Sequence, residues 1–205
     1  RGRGDVYKRQ GLTGSAVLVP DPGEAVRLAD IPEDARVLIL GAALSAADVI
    51  ATLDRQGHRG QIACLSRRGL RSRAQGPVCQ DSGTDFTDPP ATKASDLLRR
   101  VRDAIVDDQA RGQGWHATFY RLRAQGPQIW AALDMDARAR LLRHLRTWWD
   151  VHRYRLAPQV EAVIARLLDE GRLDYAAGHL VAAERRDGGA DVTWRPRGTD
   201  TLRRE

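Results

Sequence analysis

An α/β fold is predicted for this chain on three observations. Two short apolar runs, Arg36-Val-Leu-Ile-Leu40 and Gln61-Ile-Ala-Cys-Leu65, flank a stretch whose small apolar residues recur at helical spacing. The unit from 36 to 66 has the length of a strand–helix–strand crossover. Beyond it the pattern changes to amphipathic helices and finally to short alternating segments. With 205 residues, 42% hydrophobic and 29% charged, the chain has the size of one domain or slightly more. The apolar fraction is too high for a wholly disordered chain. No stretch approaches the roughly 18 uncharged apolar residues that a membrane-spanning helix needs.

The first ten residues, Arg1 to Gln10, show neither periodicity nor cap signals and are read as a non-native leader. The chain starts at Arg1 and its single methionine is the interior Met135, which reads as a piece of a longer protein. Pro20-Asp21-Pro22-Gly23, then Pro32 and Asp34, supply turn chemistry. Residues 36–40 read as a buried strand ending at Gly41. Ala43, Ala46, Ala47, Ile50 and Leu53 then form one face of a helix that stops at Gln56-Gly57, and 61–65 reads as a second buried strand. From Ser66 to about Lys93 periodicity is lost while Arg67, Arg68, Arg71, Arg73, Pro77, Pro89 and Pro90 accumulate, which predicts a long exposed loop.

Ser95 is placed to cap a helix with Leu98, Val101 and Ile105 on one face. A further helical stretch near 118–131 carries Phe119, Leu122 and Trp130. Leu141, Leu142, Leu145, Trp148, Trp149 and His152 give the strongest periodic signal, a helix with one broad apolar stripe, with Asp134 or Asp136 as its cap. Pro158 starts another amphipathic helix with Val160, Val163, Ile164, Leu167 and Leu168, ending at Gly171. The tail offers three short strands, beginning at Leu173, Leu180 and Ala190, with Gly188-Gly189 as a hairpin turn. The predicted organisation is a strand–helix–strand part over 11–95, a helical insert over 96–171 and short strands over 172–205.

The net charge is +6, of which Arg1, Arg3, Lys8 and Arg9 against Asp5 contribute half. The basic residues are 31 Arg and only 2 Lys. A guanidinium-rich nucleic-acid surface and a merely arginine-biased coding sequence both fit, and the small remaining excess favours the second. Cys64 and Cys79 lack zinc or dithiol spacing, so neither a metal site nor a redox pair is indicated. No secretory leader is visible, and reduced thiols in a cytoplasmic protein are expected.

Two constellations could carry chemistry. Gly41-Ala42-Ala43-Leu44-Ser45-Ala46 lies between a predicted strand and helix, where a dinucleotide-binding turn has small residues for a tight bend, close approach of the pyrophosphate, and helix–strand packing. Gly41 and Ala46 conform; at the second position Ala43 adds a methyl group. The second strand ends in Ser66-Arg67-Arg68, where an NAD-selective site has an acidic residue. A hydroxyl and two guanidiniums suit a 2′-phosphate, so NADP is the preferred dinucleotide, an ordinary solvated arginine pair being the other reading. The candidate cofactor-binding residues are thus Gly41, Ala43, Leu44, Ser45, Ala46, Ser66, Arg67 and Arg68, on a Rossmann-like βαβ unit.

The other constellation is Arg143-His-Leu-Arg-Thr-Trp-Trp-Asp-Val-His-Arg-Tyr-Arg155. His144 and His152 stand two turns apart with no matching carboxylate. Trp148 and Trp149 read as core anchors, His152 as a hydrogen-bonded structural histidine, and Asp150, Arg153 and Arg155 as local ion pairs or contacts to an anion. Placing the tryptophans on a buried face weakens a nucleic-acid reading. The signatures of P-loop enzymes, zinc proteases and α/β-hydrolases are absent, and no catalytic nucleophile can be named.

Val37-Leu-Ile-Leu-Gly-Ala-Ala-Leu-Ser-Ala-Ala-Asp-Val49, Gly57-His-Arg-Gly60, Leu65-Ser-Arg-Arg-Gly-Leu70 and the segment Leu141 to Pro158 with Trp148-Trp-Asp-Val-His-Arg153 resemble the bacterial FAD/NAD(P)-binding protein family over roughly residues 18–183. The resemblance implies a flavoprotein with two dinucleotide sites, distantly similar to N-hydroxylating flavin monooxygenases, in which NADPH passes hydride to FAD. It matches Gly41, Ala43 and Ala46 to the family's second glycine turn, from which Ala43 departs, and Ser66, Arg67 and Arg68 to the strand end after it. The family's FAD fingerprint has no counterpart here, so the chain is expected to hold the NAD(P) part and a helical cover, and not to turn over alone. The contrasting reading is a non-catalytic, arginine-rich interaction module for an acidic partner or nucleic acid.

Overall fold

The computed structural model describes Leu12, Leu18, Val19 and residues 28–205. The leader expected over residues 1–10 and the Pro20–Gly23 turn lie outside the described residues. The chain folds as two compact units, one built from the segments on either side of Arg73–Arg155 and the other from Arg73–Arg155 itself.

The first unit is mixed α/β. Strand β1 (Val37–Leu40) leads through helix α1 (Leu44–Arg55) to strand β2 (Ile62–Ser66), and the two strands pair in parallel from Val37↔Ile62 to Leu40↔Leu65. Helix α7 (Pro158–Asp169) precedes strand β3 (Leu173–Arg186), which runs parallel to β2 from Ile62↔Leu173 to Ser66↔Ala177. Residues 37 and 39 of β1, 62 and 64 of β2, and 173 and 175 of β3 share a face. There they pack with Ala47, Ile50 and Leu53 of α1 and Ile164 and Leu167 of α7. The predicted α1 and α7 are both present, and Pro158 and Gly171 (φ +67°) bound α7 as expected. The sequence reading groups α7 with the helical insert. Its apolar stripe in fact belongs to this core, because Ile164 and Leu167 are wholly buried against sheet residues. Glu161 of α7 takes both guanidinium nitrogens of Arg71, at 2.7 and 3.1 Å, a partly buried bidentate pair.

The second predicted strand is buried as expected, but the first is not fully so. Strand β1 stands at the edge of the five-stranded order β1-β2-β3-β4-β5, and Leu38 and Leu40 are each 38% exposed. A short apolar run does not distinguish a doubly covered strand from an edge strand with one covered face. On that second face Leu65 packs with Leu12, Leu180, Ala183 and Trp194. Cys64, wholly buried in the middle of β2, has its thiol pushed up to about 12, by burial first and then by the nearby Asp174 carboxylate, so it is an inert packing residue.

The strands expected at Leu173 and Leu180 are one fourteen-residue strand. Its second half pairs antiparallel with β4 (Gly189–Pro196) from Gly178↔Pro196 to Arg186↔Gly189, with a register shift between Leu180 and Ala182. The hairpin turn is found one residue earlier than expected, at Asp187-Gly188 with Gly188 at φ +76°, because Gly189 already pairs with Arg186 as the first residue of β4. Strand β5 (Arg203–Arg204) completes the sheet beside β4. Gly178 serves close approach. A Cβ there would come within 2.6 Å of both the Arg195 carbonyl oxygen and the Trp194 ring.

The second unit holds helices α2 (Ala94–Ala110), α3 (His116–Ala124), α4 (Gly126–Ala132), α5 (Met135–His144) and α6 (Arg146–Arg153). Its core gathers Phe86, Leu97, Ala104, Leu122, Ile129, Leu133 and Ala137. The buried face of α2 is led by Leu97, Ala104 and Asp108 rather than by Leu98 and Ile105, one position out of phase with the expectation. Ser95 makes no cap, since the helix already starts at Ala94. The stretch expected near 118–131 is two helices. Between them Gln125 accepts the Phe86 N–H at 2.9 Å and donates to Asp85 at 2.8 Å, which anchors the loop before α2. That loop has no helix and only isolated bridge residues, at Ala74 and between Thr87 and Pro90, as expected of an irregular segment. It is not wholly exposed, because Phe86 and Ser82 are each 1% accessible. The strongly periodic 141–152 stretch is also split, at Leu145, while Asp134 caps α5 by accepting the Ala137 N–H at 2.6 Å.

Asp108 is the polar centre of this unit. Wholly buried, it accepts the Thr118 hydroxyl at 2.5 Å and pairs with Arg111. Burial pushes its pKa up, but hydrogen bonds from Thr118, Arg111 and Ser82 outweigh that and hold it below the ordinary carboxylate value.

The fit at Gly178 makes a direct prediction. Gly178→Ala must displace a backbone carbonyl and a buried indole, so it is expected to lower unfolding stability by about 1–3 kcal/mol. Gly126→Ala, where a Cβ meets nothing within 4 Å, serves as the control in urea denaturation.

Candidate functional site

The C-terminal ends of β1 and β2 bring the predicted site residues to one edge of the sheet. The Gly41 N–H donates to the Leu65 carbonyl at 2.9 Å, so the turn after β1 lies beside the end of β2. Gly41 has φ +135°, in the range that favours glycine, and a Cβ built on it meets nothing within 4 Å. The space above the turn is therefore open.

Ala43 precedes α1 with φ −92° and ψ −165°, extended backbone that any residue adopts, and it is exposed. The conformation there does not call for glycine; alanine only adds a methyl group at the surface. Ala46 and Ala47 donate to the Ala43 carbonyl at 3.0 and 3.1 Å. The amides of Leu44 and Ser45, at the start of α1, have no carbonyl four residues back. No carboxylate sits in this first turn. The positive end of the helix dipole thus has no carboxylate of its own first turn beside it, which favours an anion. Ala42 and Ala46 are both 6% exposed and let the helix approach the sheet closely, so Ala46 serves packing.

Beside this turn, the Ser66 Oγ accepts the Gly69 N–H at 3.1 Å, and Gly69 adopts φ +64°. The bond closes a tight turn with Arg67 and Arg68 at its tip and leaves the Ser66 proton available to donate elsewhere. Arg67 is exposed and Arg68 partly buried. All eight residues named from the sequence lie along this edge; Ala46 is buried and Leu44 packs partly buried against the core.

The aromatic constellation of the second unit is arranged otherwise than expected. Trp149 is half-buried and stacks on Phe119 at 5.9 Å, whereas Trp148 is 44% exposed and is not a core anchor. The burial that argued against nucleic acid therefore applies to Trp149 alone. Asp150 pairs with Arg146 at 3.8 Å, not with Arg153 or Arg155. His152 is the structural histidine anticipated. Its Nδ1–H donates to the Trp148 carbonyl at 2.7 Å, and its ring stacks on Phe119 at 4.9 Å. Sequence periodicity missed the partners of this cluster, Trp115 and His116, which stack at 3.8 Å. The His116 Nε2–H donates to the Ala74 carbonyl at 3.3 Å. Their position just before a short helix left no periodic signal to find. Among the described residues no group of three His, Cys, Asp or Glu side chains could hold a metal, and no helix is long and apolar enough to cross a membrane.

No protein-family model matches the chain, and no curated protein sequence is significantly similar to it. Solved structures are similar at low identity. Ornithine hydroxylase PvdA of Pseudomonas aeruginosa, in its reduced form, gives a TM-score of 0.47 at 16% identity, over 97% of this chain and 39% of that one. Lysine monooxygenase NbtG of Nocardia farcinica gives 0.46 at 17%, over 94% and 36%. Ornithine N-hydroxylase KtzI of Kutzneria sp. 744, solved with reduced FAD, NADP+ and L-ornithine, gives 0.45 at 15%, over 88% and 36%. The chain spans less than two-fifths of the length of each of these three enzymes.

Three histidines set an acid limit on stability. Burial, first, pushes His58, His116 and His152 below the ordinary imidazole value of 6.5; Arg155 lowers the last two further, and Arg172 lowers His58. Each therefore stays neutral in the fold and takes up its proton more readily when unfolded. The stability they contribute is complete above about pH 6.5 and is lost as the pH falls below it, towards the folded values. Urea midpoints measured on either side of that value should fall on the acid side. His152→Gln should reduce the slope; a midpoint flat through this range would contradict the assignment.

Proposed function

We propose that the edge formed by Gly41–Ala46 and Ser66–Arg68 binds the phosphates of NADPH, and that the chain is the NADP-binding portion of an FAD-dependent oxidoreductase. The observation that carries this reading is the Gly41 N–H bond to the Leu65 carbonyl. It sets an acid-free helix N-terminus beside a strand end bearing two guanidiniums. Amides of α1 suit the pyrophosphate, and Arg67 and Arg68 suit the extra phosphate that distinguishes NADPH from NADH. The flavin half of the proposal rests on the resemblance carried by the turn and by Trp148-Trp-Asp-Val-His-Arg153. In such an enzyme the nicotinamide supplies hydride to the flavin; the residues described here bind and orient the dinucleotide.

Calorimetric titration of the chain with NADPH and NADH tests the proposal. NADPH should bind the more tightly. Replacing Arg67 and Arg68 together by Gln should cost about tenfold or more in NADPH affinity while leaving NADH nearly unchanged. Absence of binding to both nucleotides at millimolar concentration, or equal binding of the two, would overturn it.

A second expectation concerns the departure at Ala43. Because its backbone is extended and its methyl exposed, Ala43→Gly should leave thermal stability almost unchanged and tighten NADPH binding severalfold. Unchanged affinity would mean that the methyl does not meet the ligand.

A further inference from the structure

A cleft of about 130 Å³ opens in the second unit between α3 and the end of α6, lined by Gln75, Phe119, Tyr120, Arg123, Arg153 and Arg155. Three of these six residues are arginines and none is acidic. Arg121 of α3, by contrast, reaches the Asp81 carboxylate and the Ser82 carbonyl. In the cleft Arg155 donates to the His152 carbonyl at 2.8 Å and lies over the Tyr120 and Trp115 rings, at 4.5 and 5.1 Å. Arg153 lies over Tyr154 at 5.3 Å. These contacts orient the guanidiniums without neutralising them. Collecting three like charges around one cavity is unfavourable unless an anion offsets it.

The space decides what kind of anion fits. A cleft of about 130 Å³ accommodates a tetrahedral oxyanion. The planar forks of arginine match phosphate oxygens, and Phe119 and Tyr120 offer flat apolar walls at the mouth. We propose that this cleft binds a phosphate-type oxyanion, either free or as the terminal group of a small phosphate ester. The pKa of His116, lowered by burial and further by Arg155, agrees with positive charge at the cleft; that of His152 is lowered by burial, then by Arg73 and Arg155.

Titration of the full chain with inorganic phosphate at low ionic strength, followed by tryptophan fluorescence, tests the proposal, because Trp115 beneath Arg155 reports on the cleft. A saturable change is expected, together with an upward shift of the His116 titration seen by NMR. Arg123 is exposed and has no ion pair or hydrogen bond among the described residues. Arg123→Gln should therefore leave thermal melting without phosphate unchanged and weaken binding about tenfold or more. Arg140→Gln, on an exposed position of α5, should weaken it little. Phenyl phosphate forms the second arm. Binding equal to that of inorganic phosphate supports a free-oxyanion site, and tighter binding with the same dependence on Arg123 supports a site for an ester's terminal group. No saturable response to either compound, or binding indifferent to Arg123→Gln, overturns the proposal. Neither result bears on the NADPH edge, whose residues none of these variants touches.

Discussion

The parallel pairing of β2 with β3 is the constraint on which the rest of the first unit depends. It joins Ile62 to Leu173 across a sequence separation that encloses the whole second unit. Such a closure costs chain entropy that grows slowly with length, so a long insertion is tolerated provided the pairing it spans is well buried. Here it is. Ile62, Cys64 and Leu173 are at most 4% exposed, and Ile164 and Leu167 of α7 cover them. The bidentate Arg71–Glu161 pair and the Arg166–Asp54 contact at 2.5 Å add specificity at the rim of that core. Without β3, β2 would be an edge strand and α7 would have no sheet to cover.

That pairing also places the candidate site. With β3 beside it, β2 is fixed against β1, and the Leu40↔Leu65 register puts Gly41 next to Ser66. A one-residue slip would turn Ile62 and Cys64 out of the core, so the same burial that stabilises the sheet sets the position of the glycine turn relative to the arginines. Gly69 contributes from the other side. A Cβ there would lie 3.1 Å from that of Ala177, which holds the Ser66–Gly69 turn close against β3. The geometry of the edge is thus inherited from packing several residues away.

The local parts of this arrangement were legible in the sequence. Strand β1, the turn at Gly41, α1, β2 and α7 follow from apolar spacing and from Gly57, Pro158 and Gly171 as punctuation. What was not legible depends on partners distant in sequence. Whether β1 is covered on both faces depends on what lies beside it. The requirement for glycine at 178 comes from Trp194 on the paired strand β4. The breaks at Gln125 and Leu145 interrupt periodic patterns that continue across them in sequence; the first coincides with a side chain bonded to Phe86 and Asp85, forty residues away. Periodicity reports which face is apolar, not whether one rigid helix carries it. The eight candidate residues fall together on one edge because a turn and a strand end are local features; the arginine cleft left no such signal, because it is assembled by tertiary packing.

The arginine content, ambiguous in the sequence, acquires a physical sense in this fold. Many guanidiniums act as bridges to main-chain oxygen: Arg100 to the Pro89 and Asp85 carbonyls at 2.6 and 2.7 Å, Arg121 to that of Ser82, and Arg172 to those of His58 and Arg59. Irregular segments have carbonyls that no strand or helix satisfies, and a five-donor side chain on a long stem reaches them where a lysine could offer only a compact point charge. Much of the arginine here is structural, while the small net charge of +6 reflects 27 acidic residues set against 33 basic ones. Arg123, Arg153 and Arg155, none paired with a carboxylate among the described residues, line one cleft together, Arg153 and Arg155 lying over aromatic rings. Like charges gathered around one cavity repel one another, and an anion between them would offset that cost.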